Sequence, residues 1–155
     1  MVAFVGHVTF THTKETAMQL AATRIITDDV DALVAFYESV TGITAERLHP
    51  MFAELRTPSG TLAIASSATV PLLGDDAAEA RANRSVMVDF LVADVDATYA
   101  ALQGVVDVFV NQPTDMPWGN RSLLVRDPDG NLINFFTPTG AAAQRRFWEA
   151  PQQPR

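Results

Sequence analysis

Two stretches of this sequence repeat one another, and the repeat limits the possible folds more than any other feature. Asp29-Val30-Asp31-Ala32 returns 65 residues later as Asp94-Val95-Asp96-Ala97, each time where an amphipathic helix is expected to begin. Pro58-Ser59-Gly60-Thr61-Leu62 returns 70 residues later as Pro128-Asp129-Gly130-Asn131-Leu132, each time ahead of an apolar strand. Internal similarity on this scale means one supersecondary unit used twice. Around the two anchors the chain reads as strand, helix, strand, strand, strand.

In the first unit, Ala21 to Thr27 is a strand, and Asp28 or Asp29 caps a helix carrying Val30, Leu33, Val34 and Tyr37 at helical spacing. Gly42 ends that helix, and strands follow at Ile43 to Leu48, Phe52 to Thr57 and Thr61 to Ser66. In the second unit, Ser85 to Ala93 alternates, Asp94 caps a helix to Gln103, and Gly104 stops it. Strands are expected again at Val105 to Val110, Ser122 to Arg126 and Leu132 to Phe136. The last two flank Asp127-Pro128-Asp129-Gly130-Asn131, whose proline, aspartates and glycine each favour a tight turn. The fold class is therefore α+β, with two tandem βαβββ units. Residues 21–67 make the first unit, 68–84 a connector and 85–137 the second unit. Residues 138–155 form a tail with Phe147 and Trp148 as its anchor. Residues 1–20 form an N-terminal extension whose alternation (Val2, Phe4, Val8, Phe10) predicts an added strand. His7 and His12, five apart, fall on opposite faces of such a strand and do not share a metal.

With 155 residues, 48% apolar and 19% charged, the chain suits one globular domain. A net charge of −7 argues against nucleic acid, which needs a basic patch. No apolar run reaches the roughly 18 to 20 residues that cross a bilayer, and the N-terminus lacks a signal-peptide pattern. The absence of cysteine removes disulfides, thiolate metal sites and cysteine nucleophiles, and the expected location is the cytoplasm. No phosphate loop and no nucleophile in a Ser-His-acid context occurs.

The twofold repeat, with Pro117-Trp118-Gly119 and Asp127-Pro128-Asp129-Gly130-Asn131 in its second copy, resembles the vicinal oxygen chelate superfamily. Glyoxalases, bleomycin-resistance proteins and extradiol dioxygenases belong to it, and the similarity spans about residues 21 to 137. The resemblance implies that the two units form a curved mixed sheet whose concave face holds the site, often with a divalent metal on His and Glu ligands. Carried onto this chain, the ligand positions fall on Ala22, Met87, Asn134, and Ile64 or Ala65. None is a good ligand for such a cation, so the expectation is no metal and no cofactor.

Arg24 and Asp89 are pseudo-equivalent and face the cup, where an ion pair between them is expected. It would be either a structural charge pair or the candidate catalytic pair that orients a polar group or moves a proton. Trp118 matches a tryptophan that lines the drug cleft in bleomycin-resistance proteins. It is either a stacking platform for a planar or cationic ligand or a plug holding its loop on the core. Phe52, Glu54 and Arg56 share one strand face, assigned to the cup. Met51, Met87, Phe109 and Met116 are further candidates for its lining, whereas Phe90 faces the helix and His49 belongs to a turn. The ligand-binding set is thus Trp118, Arg24, Asp89, Met87, Phe52, Glu54, Arg56 and Asn134. The resemblance implies a homodimer that binds a small organic ligand, cationic or aromatic, without a metal. The alternatives are a lyase or isomerase using acid/base residues in the cup, and a dimerisation module with no small-molecule role.

Overall fold

The computed structural model describes residues 18–149, so the expected N-terminal strand, His7 and His12 lie outside the described residues. Each repeat follows the expected order of strand, helix and further strands, and the second adds a short strand that the pattern did not predict. The first contains β1 (Thr23–Thr27), α1 (Val30–Thr41), β2 (Glu46–His49), β3 (Phe52–Arg56) and β4 (Thr61–Ser66). The second contains β5 (Met87–Leu91), α3 (Val95–Leu102), β6 (Val108–Phe109), β7 (Thr114–Asp115), β8 (Asn120–Arg126) and β9 (Leu132–Pro138). Between them the connector holds a 3-10 turn at Ser67–Thr69 and a one-turn helix, α2 (Val70–Leu73). The chain leaves β9 through α4 (Ala141–Gln144), which runs into a π-helical turn at Arg145–Glu149.

Both helices start on an aspartate whose carboxylate takes an orphan amide: Asp29 from Ala32 at 2.9 Å and Asp94 from Ala97 at 3.0 Å. Asp29, not Asp28, is the first cap. Asp28 instead accepts from Ser67 and Arg81. Gly42 closes α1 in the left-handed conformation, its amide bonding the Glu38 carbonyl at 2.9 Å.

The sheets share one plan. Strand order is β1-β4-β3-β2 in the first and β5-β9-β8-β6 in the second, with β7 pairing β8. In each, the first strand runs parallel to the last and the others are antiparallel. Arg24 lies opposite Ala63 in the first sheet and Asp89 opposite Asn134 in the second. Alternation then sends Ile25, Leu55, Ile64, Leu123, Val125, Ile133 and Phe135 toward the helices. There they join Leu33, Val34, Tyr37 and Val95 in one core that both repeats build. Two expected strands are shorter than the apolar pattern suggested. Thr44 and Ala45 precede β2, and Val105 and Val106 hang on the last turn of α3 through bonds to the Leu102 carbonyl. Of the expected tail anchors, Phe147 meets Phe136 edge-on at 5.0 Å, while Trp148 remains half exposed.

One polar contact crosses the apolar junction between repeats. The fully buried Tyr37 of α1 donates its hydroxyl to Asp127 Oδ2 at 2.9 Å, in the turn between β8 and β9. Burial first, and then the Asp127 carboxylate, push the Tyr37 hydroxyl well above the ordinary tyrosine pKa. Its contribution to stability is therefore fully present below the unfolded tyrosine value of about 10 and is lost as pH rises further. Tyr37→Phe removes a hydrogen bond to a charged group and should cost about 1.5–3 kcal/mol at neutral pH. In urea titrations at stepped pH, the gap between the parent and Tyr37→Phe should narrow above about pH 10.

Candidate functional site

Each sheet has one face covered by helices and core and an opposite face that is helix-free except where the C-terminal turn sets Phe147 against Phe136, and the expected site residues on strands fall on these helix-free faces. On the first sheet these are Arg24 and Ile26 from β1, Ala63 and Ala65 from β4, and Phe52, Glu54 and Arg56 from β3. Because alanines fill the middle strand, Arg24 reaches across it and lies over the Phe52 ring, 5.1 Å from its centroid. Arg56 is held by Glu54 at 2.8 Å and Glu46 at 3.3 Å. The Glu54 hydrogen bond, followed by the two carboxylate charges, holds the Arg56 pKa above its ordinary value. The charges on this face satisfy each other.

On the second sheet Met87, Asp89 and Leu91 alternate out of β5, next to Leu132, Asn134 and Phe136 of β9 and to Ser122, Leu124 and Arg126 of β8. Asn134 Nδ2 donates to Asp89 Oδ1 at 3.0 Å, and Asn134 Oδ1 is buried with no partner among the described residues. Asp89 is exposed and forms no ion pair among the described residues. The expected Arg24–Asp89 pair does not form. Arg24 is drawn to an aromatic ring on its own sheet, and Asp89 to the amide that faces it across the β5–β9 ladder.

The register also corrects the correspondence between repeats. Asn134 matches Ala63, not Ile64, because Ile64 opposes Ile25 and points into the core. The positions that would carry a divalent metal are therefore Ala22, Met87, Asn134 and Ala63, with Ala65 on the same face. No group of three His, Asp or Glu side chains comes together among the described residues. These residues do not fit a metal centre of the family's type. His49 accepts the Met51 amide at 3.2 Å and serves the turn between β2 and β3, as its neighbour Pro50 suggested.

Trp118 stands in the turn between β7 and β8. Gly119 there has φ +92°, and its carbonyl accepts the amides of Thr139 and Gly140 at 2.8 and 2.9 Å. A side chain at Gly140 would meet the Gly119 Cα at 3.2 Å, so the two backbones touch where neither residue has a Cβ. These bonds fix the loop, and the indole does not: it is 69% exposed and meets no other ring among the described residues. Phe90 packs toward the core as its alternation predicts, stacking on Phe135 at 5.6 Å, whereas Phe109, expected in the cup, packs against the core instead and meets Tyr99 edge-on at 5.4 Å. An open concavity of about 790 Å³ lies beneath the connector, between Asp28, Ser67, Asp76, Glu79 and Arg81. Its Asp28 carboxylate is already occupied by Ser67 and Arg81. A smaller hollow of about 140 Å³, including Arg84 and Arg126, opens at the end of the second sheet. Neither arginine stood out in the sequence.

The Glyoxalase/Bleomycin resistance protein/Dioxygenase superfamily model matches residues 11–135. The chain belongs to this superfamily. Among solved structures it is similar to a glyoxalase/bleomycin resistance protein/dioxygenase from Nocardioides (TM-score 0.69, 24% identity, 86% of this chain and 89% of that one). It is also similar to a family enzyme from Burkholderia phytofirmans PsJN (0.70, 18% identity, 78% and 99%). A third relative is a glyoxalase-related enzyme from Fulvimarina pelagi (0.67, 18% identity, 81% and 94%). At these identities the likeness is one of fold. No curated protein matches the chain significantly. Among the described residues no helix is long and apolar enough to cross a membrane.

Since Trp118 packs against no ring and its loop is held by backbone bonds, Trp118→Ala should change unfolding free energy by no more than about 0.5 kcal/mol. Its loss should also reduce the solvent-quenchable part of the tryptophan fluorescence to that of the half-exposed Trp148. A larger destabilisation, read by thermal melting, would mean that the ring holds its loop.

Proposed function

We propose that this superfamily member is a cytoplasmic binding protein that holds a small organic ligand on its helix-free faces without a metal. The observation that carries the reading is the residue set on the second sheet. Where a metal ligand would stand there is Asn134, which fastens an exposed carboxylate, Asp89, between the apolar side chains of Met87 and Leu91. A carboxylate held from one side and open on the other is a receptor for a hydrogen-bond donor or a cation. The apolar strand positions on either side suit a planar or aliphatic body. The exposed indole of Trp118 offers a stacking surface for an aromatic, cationic group. Sequestration of this kind requires binding alone, and no step of it calls for the missing ligand set. Exposed Met87, Leu91, Val108 and Val110 on the second sheet favour a homodimer that shields them.

Titration calorimetry against cationic heteroaromatic compounds should find saturable binding that Asp89→Asn weakens roughly tenfold to a hundredfold, the loss expected for one hydrogen bond to a charged group. Added Zn, Ni, Mn or Fe should leave the melting temperature unchanged. A stoichiometric metal held by residues of the helix-free faces would overturn the proposal. Turnover of a bound compound that Asp89→Asn abolishes would replace binding with lyase or isomerase chemistry.

A further inference from the structure

The hollow of about 140 Å³ at the end of the second sheet has two arginines in its wall, Arg84 and Arg126, beside Met87 and Leu132. Strand register accounts for part of this. Leu132 opposes Met87 on one side and Arg126 on the other, so the three stand in a row across β5, β9 and β8 on the helix-free face. Arg126 is steadied by one bond, from Nη1 to the Gly130 carbonyl at 3.0 Å, which leaves most of its donors free. Arg84 sits within a side-chain turn. Asn83 Oδ1 accepts the amides of Ser85 and Val86 at 3.2 and 3.0 Å, and Asn83 Nδ2 donates to Val86 O and to Asn131 Oδ1. The backbone bearing Arg84 is thereby tied to the same hairpin that bears Arg126.

These two arginines share one hollow and lack a counter-charge. Arg47, Arg56, Arg81 and Arg121 each form an ion pair, whereas Arg84 and Arg126, like Arg24, Arg145 and Arg146, form none among the described residues. Arg24 and Arg146 lie over aromatic rings instead. This occurs in a chain of net charge −7, with 18 carboxylate side chains to draw on. The carboxylates of the neighbouring turn are directed elsewhere: Asp127 accepts from Tyr37, Asn131 and Asp129, and Asp129 reaches neither arginine. Two guanidinium groups around one hollow repel each other until an anion enters. Their planar, forked donors match the paired oxygens of a carboxylate or phosphate. The apolar wall of Met87 and Leu132 lowers the local dielectric, which strengthens such a contact.

We propose that Arg84 and Arg126 form an oxyanion site that takes the carboxylate or phosphate group of a small organic molecule. At about 30 Å³ per water, the hollow has room for a group displacing four or five waters. That is enough for an oxyanion but below the roughly 300 Å³ of a site enclosing a whole drug-sized ligand. The remainder of the molecule lies over Met87 and Leu132. Asp89 is two residues along β5 on the same face, but the oxyanion site does not depend on it.

The test uses the full chain, with side-chain NMR signals of its arginines and methionines followed during separate titrations with inorganic phosphate and acetate. Chloride holds the ionic strength constant. Either anion should saturate the protein while shifting the Arg84, Arg126 and Met87 signals. Arg84→Gln, at an exposed position whose side chain forms no hydrogen bond or ion pair among the described residues, should keep the fold and weaken binding at least about tenfold. Arg126→Gln should do the same, and Arg47→Gln, on the other sheet, should not. Phosphate binding the more tightly would mark a phosphoryl ligand, and acetate a carboxylate. Non-saturating shifts that chloride reproduces, shifts centred elsewhere, or an unchanged affinity in Arg84→Gln would overturn the proposal.

Discussion

The buried carboxylate of Asp127 is the contact on which the arrangement of the two repeats depends. It accepts four hydrogen bonds: the Asp129 and Asn131 amides at Oδ1, and Tyr37 Oη and Asn131 Nδ2 at Oδ2. A carboxylate with only 5% exposure would be costly without such a set. With it, one side chain shapes the β8–β9 turn, fastens the helix of the first repeat to the sheet of the second, and reaches the connector through Asn131 and Asn83. The apolar core between the repeats is non-directional. This network supplies the direction.

The repeats are equivalent in topology but not in chemistry. On the first sheet Arg24 covers the Phe52 ring, Arg56 joins Glu54 and Glu46, and Arg47 pairs with Asp31 of α1. On the second, Asp89 has only the amide of Asn134, and Arg84 and Arg126 have no carboxylate among the described residues. Duplication followed by divergence leaves one half as scaffold and the other with unanswered charge. Groups that can act on a ligand are concentrated in the second half.

Topology was legible because it depends on periodicity and punctuation: the helix-capping aspartates, the Pro-Gly turns and the alternation of Val88 and Phe90 against Met87 and Asp89. The faces of Phe52, Glu54 and Arg56 were legible for the same reason. Contacts between strands were less so. Matching the repeats by their helix caps and their turns gives offsets of 65 and 70, yet strand pairing aligns Asn134 with Ala63. A shift of one residue is enough to exchange a core side chain for a surface one. The Arg24–Asp89 pair failed on a different point, since sequence gives no means of ranking an aromatic ring and a neighbouring amide against a distant opposite charge. Arg84 and Arg126 escaped notice because absence of a partner is a property of three-dimensional placement, not of motif.

The backbone contact between Gly119 and Gly140 has a consequence for how this fold can vary. The indole of Trp118 projects from a loop whose position is set by main-chain bonds and by two residues that have no side chains to exchange. Place and identity are separated there. Residue 118 works as an interchangeable bit in a fixed chuck, and its chemistry can change without moving the loop that presents it. The two glycines do not share that freedom: a methyl group on Gly140 would press on the Gly119 Cα at 3.2 Å, and Gly119 holds a φ of +92° that a side chain disfavours. A change at either would shift whatever residue 118 had become.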